Sequence, residues 1–151
     1  MTTFACRPTS DSGFTLLEVL IALLILSIGL LGIAALQATS LKTNHGAYLR
    51  SQAVILGYDM MDRMRANRVV AMAEGYDINM ASNGLTGAGL QVADVNGWLA
   101  SVAALLPAGD GSIDCTTAGV CTVTVQWDTS RGGGSASGGN NTLSFQVTAQ
   151  I

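Results

Sequence analysis

The sequence predicts an α+β protein in which a long N-terminal helix packs on a small three-stranded antiparallel sheet, with one extra short helix. Three observations lead there. No proline interrupts residues 14–73, whose apolar residues recur at spacings of three and four. A second stripe with that spacing follows Asp94. Beyond it the apolar period changes to two.

The long helix divides by composition. Val19 to Leu41 are 23 consecutive uncharged residues, mostly Leu, Ile and Ala, bounded by Glu18 and Lys42. At 1.5 Å per residue such a helix spans about 35 Å, enough to cross a hydrocarbon core of about 30 Å. Past Lys42 the helix turns amphipathic: Leu41, His45, Leu49, Ala53, Leu56, Met60 and Met64 form one stripe. On the other face Asp59–Arg63 and Asp62–Arg65 are spaced i, i+4 and i, i+3, with the acid N-terminal to the base. The expected segments are 14–41 as the membrane-spanning half of the helix, 42–73 as its amphipathic half, and 74–151 as the head.

Within the head, the Gly-, Asn- and Ser-rich residues 74–91 predict a connecting loop. Asp94 is a candidate N-cap for a helix carrying Val95, Trp98, Leu99, Val102, Leu105 and Leu106, which Pro107 ends. Strict alternation places Cys121, Val123, Val125 and Trp127 on one face of a strand, and Leu143, Phe145, Val147, Ala149 and Ile151 on one face of another. Ser112–Thr116 is a third strand, returned by a Thr117-Ala118-Gly119 turn. Cys115 and Cys121 then share strand parity on either side of that turn. An oxidising compartment would join them and leave Cys6 out.

Composition excludes several function classes. Charged residues are 11% of the chain, against about a quarter in ordinary globular domains. Seven Lys plus Arg against ten Asp plus Glu provide no basic field for a nucleic-acid backbone. The single histidine, His45, sits on the long helix without an evident orienting partner, so no nucleophilic triad is expected. A metal site lacks ligands: there is no second cysteine pair, and Asp110, Asp114 and Asp128 do not have EF-hand spacing. Residues Arg131 to Gly139 are Gly-rich but lack the Lys-Ser/Thr ending of a phosphate loop, and predict a flexible connection. Neither a cofactor nor an enzymatic activity is expected.

Glu18 is the informative exception to an apolar helix. A carboxylate inside a membrane span costs about 2.5 kcal/mol or more unless it is interfacial or paired. A secretory signal would be cut after the apolar run, where Gly32-Ile33-Ala34 offers a small-x-small site, and has no use for such an acid. The run Gly13-Phe14-Thr15-Leu16-Leu17-Glu18-Val19-Leu20 closely resembles the type IV pilin signature. The resemblance implies that residues 1–13 are a leader, cut between Gly13 and Phe14 by a prepilin peptidase, with N-methylation of Phe14 and a mature chain that keeps the whole apolar helix. It also implies that Glu18, fifth in the mature chain, meets the N-terminal amine of a neighbour during assembly and sets register. The expected location is the inner membrane, by a single pass with the head outside the cytoplasm, and then the filament or its tip.

Leu41 to Asn67, with Tyr48-Leu49-Arg50-Ser51-Gln52-Ala53 and Asp59-Met60-Met61-Asp62-Arg63-Met64-Arg65-Ala66-Asn67, resembles the minor pilins called PilV, the type IV pilus modification proteins. That implies a minor pilin acting in priming and biogenesis, with major and minor pilins, the peptidase/methyltransferase and inner-membrane lipid as partners, and no directly bound nucleic acid. A minor pseudopilin of type II secretion shares the Gly-Phe-Thr-Leu-Leu-Glu run and is the alternative, as is a membrane-tethered adhesive head.

Overall fold

The computed structural model describes residues 13–130 and 141–151. Most of the expected leader, and the Gly-rich stretch from Arg131 to Gly139, lie outside the described residues. Helix α1 (Leu16–Ala66) is followed by α2 (Arg68–Met72), α3 (Leu90–Leu105) and strands β1 (Asp110–Cys115), β2 (Val120–Asp128) and β3 (Thr142–Gln150). The chain separates into two compact units, Met1–Thr39 and Ser40–Ile151.

In the first unit, α1 is apolar all round and exposed throughout, as Phe14 at 83% and Leu31 at 71% illustrate. Among the described residues α1 is the one helix long and apolar enough to cross a bilayer.

In the second unit, α1 buries Leu49, Ala53, Leu56, Met60 and Met64, joined by Gly57 and Met61. The expected stripe began at Leu41 and His45, but Leu41 is 70% exposed and His45 is exposed as well. Periodicity alone carries no mark of where a partner layer begins. The helix was expected to run to residue 73, yet it breaks at Asn67, where φ is −120° and ψ 48°. The Asn67 side-chain amide donates to Tyr76 Oη at 3.0 Å, which ties the break to the segment that follows α2.

The segment expected to be only a loop is partly structural. Tyr76 and Ile78 are buried, and Ile78 exchanges backbone bonds of 3.0 Å in both directions with Ile113. Helix α3 begins at Leu90, so the N-cap position falls on Gly89 and not on Asp94. The C-terminal end of α3 follows the sequence closely: Leu106, preceding Pro107, is extended with φ −118° and ψ 135°. Val95, Trp98, Val102 and Leu106 are buried while Leu105 is 46% exposed.

The sheet has order β1-β2-β3, antiparallel throughout, with Cys115 opposite Cys121 and Trp127 opposite Leu143. Strand β1 starts two residues earlier than expected. All four inward residues of β2 are buried, whereas Leu143, Phe145, Val147 and Ala149 of the edge strand β3 are only half-buried. Two glycines permit close approach between layers. A Cβ at Gly57 would meet the Phe145 ring at 3.0 Å, and one at Gly111 would overlap the edge of the Trp98 ring. The result is a pilin-like α+β fold: a long N-terminal apolar helix whose later half packs on a three-stranded sheet beside a short extra helix.

Candidate functional site

The candidate site is the start of α1. Thr15 Oγ1 accepts a bond from the Glu18 amide at 3.3 Å, and the Thr15 carbonyl accepts from the amides of Glu18 at 3.1 Å and Val19 at 3.3 Å. Thr15 is therefore the N-cap, and Thr15-Leu16-Leu17-Glu18 has the Ser/Thr-x-x-Glu spacing of a capping box. This role is absent from the expectations above, although that spacing is its signal in the sequence. The cap satisfies a donor that a helix terminus in a low-dielectric medium would otherwise leave orphaned.

Glu18 lies in the first turn, at the positive end of the helix dipole. Phe14, Ala22 and Leu26 border it on the same face. An exposed carboxylate stands among apolar side chains that water would not favour. Gly13 and Phe14 are both exposed, with Phe14 two residues ahead of the helix. The distinguishing property of the site is one anionic group at the end of an apolar surface.

The other sequence-identified residues lie in the head. Cys115 and Cys121 are joined by a disulfide with a Cα–Cα distance of 4.1 Å. Cys115 Sγ lies 3.7 Å from Met64 Sδ, so the staple rests against α1. The Cys115 amide donates to Asp77 Oδ1 at 2.9 Å. Burial pushes the Asp77 carboxyl above the usual carboxylate range; that bond opposes the shift, while the nearby charges of Asp114 and Glu74 add to it.

A polar network joins the helices. Asp94 accepts from Tyr76 Oη at 2.9 Å and from Arg63 at 3.4 Å, and Arg63 also pairs with Asp59 at 3.0 Å. The Asp59 hydrogen bond chiefly holds Arg63 above its ordinary pKa, and burial raises the Tyr76 phenol. Asp62–Arg65 pairs at 2.7 Å, as the spacing predicted. Among the described residues, no three His, Cys, Asp or Glu side chains gather as a metal site. Asp110 instead accepts from the Ala81 amide at 2.6 Å, and Asp128 accepts from the Ser130 amide and hydroxyl at 2.8 and 2.7 Å.

The family described as the prokaryotic N-terminal methylation motif matches residues 9–34. Comparisons with curated proteins and with solved structures return no match. The match covers Gly13, Phe14, Glu18 and most of the exposed apolar part of α1. It marks a type IV pilin-like or pseudopilin precursor, a class processed by a prepilin peptidase and assembled with other pilins. It stops short of Leu41–Asn67.

Proposed function

We propose that this chain is a minor pilin: a single-pass inner-membrane subunit, cut between Gly13 and Phe14, methylated at Phe14, and incorporated with other pilins to promote priming of a type IV pilus. The observation that carries the reading is Glu18 within a methylation motif at the head of a fully exposed apolar helix. An apolar surface of that length is stable in lipid or against similar helices, and in water in neither form. Glu18 distinguishes the two settings. A carboxylate withdrawn from the interface into a packed bundle requires a cation, and the amine of a neighbour's Phe14 is of the right charge. Register between helices is thereby fixed, since a one-turn slip leaves both charges unpaired. The narrower PilV reading, and the role in priming, draw support from the resemblance over Leu41–Asn67.

Two experiments test the proposal. Mass spectrometry of purified protein should find N-methylated Phe14 as the first residue; a chain beginning after Ala34 would overturn it. Glu18→Ala should insert in the membrane normally yet enter filaments poorly, and wild-type incorporation would remove Glu18 from assembly.

A further inference from the structure

The two edges of the sheet differ. The amide and carbonyl of Ile113 bond to Ile78, and the Cys115 amide bonds to Asp77, so the outer edge of β1 is closed by residues 77–78. β1 also carries Asp110 and Asp114, charges of the kind that discourage strand pairing.

Among the described residues the outer edge of β3 is open, and the ladder shows which groups it presents. Val120 accepts from Thr116, and the Asp128 amide donates to Pro107, so the even-numbered residues of β2 direct their backbone groups toward β1. The odd-numbered residues face β3, where opposed residues such as Val123 and Val147 exchange both bonds. The amides and carbonyls of Thr142, Ser144, Gln146, Thr148 and Gln150 therefore point away from the sheet. None has a backbone partner on that side among the described residues. Strand β3 has nine residues with neither a charge nor a proline, and so lacks the usual protections of an edge. Beside it α1 leaves Ile55 59% and Tyr58 50% exposed, with the Tyr58 ring 6.5 Å from that of Phe145.

We propose that the open edge of β3 takes up one extended strand from a different subunit, completing a four-stranded sheet by strand addition. The partner strand is uncharged and alternating, with apolar side chains toward Ile55 and Tyr58 and small polar ones on the Thr122–Thr148 face. A second copy of this chain does not suit. Its β1 edge is closed, so head-to-tail addition finds no free ladder. Two-fold pairing of β3 with β3 turns every direction in the sheet plane through 180°. Two α1 helices packed on that sheet would then run in opposite directions, which two copies anchored in one membrane cannot do. The inference rests on the assembly reading above for the partner's being another subunit and for the shared membrane that rules out two-fold pairing.

The test uses the full-length chain in assembling cells, with a photo-crosslinking residue placed singly at 144, 146 and 148. Crosslinks from the three positions should fall on one strand of one other subunit, two residues apart and in order. Absence of crosslinks, crosslinks without that step, or crosslinks confined to a second copy of this chain would overturn the proposal. Gln146→Pro removes one outward amide and no bond to β2, so the fold is retained. Crosslinking from position 144 should then drop about tenfold or more, a loss of about 1.4 kcal/mol, while Gln146→Thr should keep it. Undiminished crosslinking in Gln146→Pro would also overturn the proposal. Loss of incorporation by Glu18→Ala with full incorporation and crosslinking of Gln146→Pro would sink the edge and leave the assembly reading standing.

Discussion

The indole of Trp98 donates to the backbone carbonyl of Leu56 at 2.9 Å, so the centre of α3 is bonded to the centre of the packed half of α1. The ring is fully buried and rests against Gly111, which joins two helices and the first strand at one side chain. Trp127, equally buried, has no hydrogen-bond partner for its Nε1 among the described residues. The two tryptophans therefore separate packing from hydrogen bonding. Trp98→Phe should cost about 1 kcal/mol more than Trp127→Phe, because both lose similar volume and only the first loses a bond. Thermal unfolding of the full chain in detergent measures the difference. Equal losses would show that the Trp98 bond adds nothing net.

Gly111→Ala should destabilise by about 1–3 kcal/mol, since its methyl group needs space held by the Trp98 ring. Pairing it with Trp98→Phe should recover part of the loss. Strict additivity in that double-mutant cycle would place the strain elsewhere.

Tyr76→Phe should cost about 1–2 kcal/mol. It leaves Asn67 without an acceptor and removes the shortest bond to Asp94, in a buried setting where orphaned polar groups are expensive. Its second effect should be local: the Asn67 backbone amide already bonds to Arg63 and Met64, so with the side-chain bond gone amide exchange should slow at Arg68 and Val69 if α1 and α2 merge. Unchanged exchange there would count against the Asn67–Tyr76 bond as the cause of the break.

Much of this architecture was legible because it depends on local periodicity. The i, i+3 and i, i+4 pattern located α1 and α3, and alternation located β2 and β3 with the correct inward residues. The missed features are tertiary. Asp94 looked like an N-cap because it precedes an apolar stripe, but its carboxylate is engaged by Tyr76 and Arg63, and α3 starts a turn earlier. Ile78 has no strand-like neighbours, and it bridges Ile113 only because the chain after α2 is carried back across β1. At the candidate site, Glu18 was conspicuous by charge, whereas Thr15 was overlooked because a threonine at an apolar helix start looks ordinary.

Asp77 gives a pH dependence of definite sign. Its folded-state pKa is raised, so the folded chain holds this proton more tightly than the unfolded chain does. Its contribution to stability is complete below the unfolded carboxylate range and is lost as pH rises through the raised value. Asp77→Asn retains an acceptor for the Cys115 amide and removes the buried charge. The variant should match or exceed the parent in Tm at pH 7 and lose that advantage in mild acid. A lower Tm at pH 7 would mean the hydrogen bond outweighs burial.

Reducing the Cys115–Cys121 bond should cost about 2 kcal/mol, because it closes a loop with a sequence separation of only 6. Unfolding midpoints with and without reductant report it, and the Cys115→Ser, Cys121→Ser double variant should reproduce the reduced value. A loss well above that would mean the staple also holds the hairpin against Met64.

Thr15 closes the first turn of α1 from within, using a side chain that follows Phe14 in sequence. The start of the helix is therefore independent of anything attached ahead of Phe14. If the leader is removed, the chain gains an ammonium group one residue before its cap, and no later side chain rotates about the axis. Such processing would alter the charge of the molecule without altering its phase: Glu18, Ala22 and Leu26 would keep the same angular positions before and after the cut. The first turn of α1 would thus need no refolding to accept a new charge beside it.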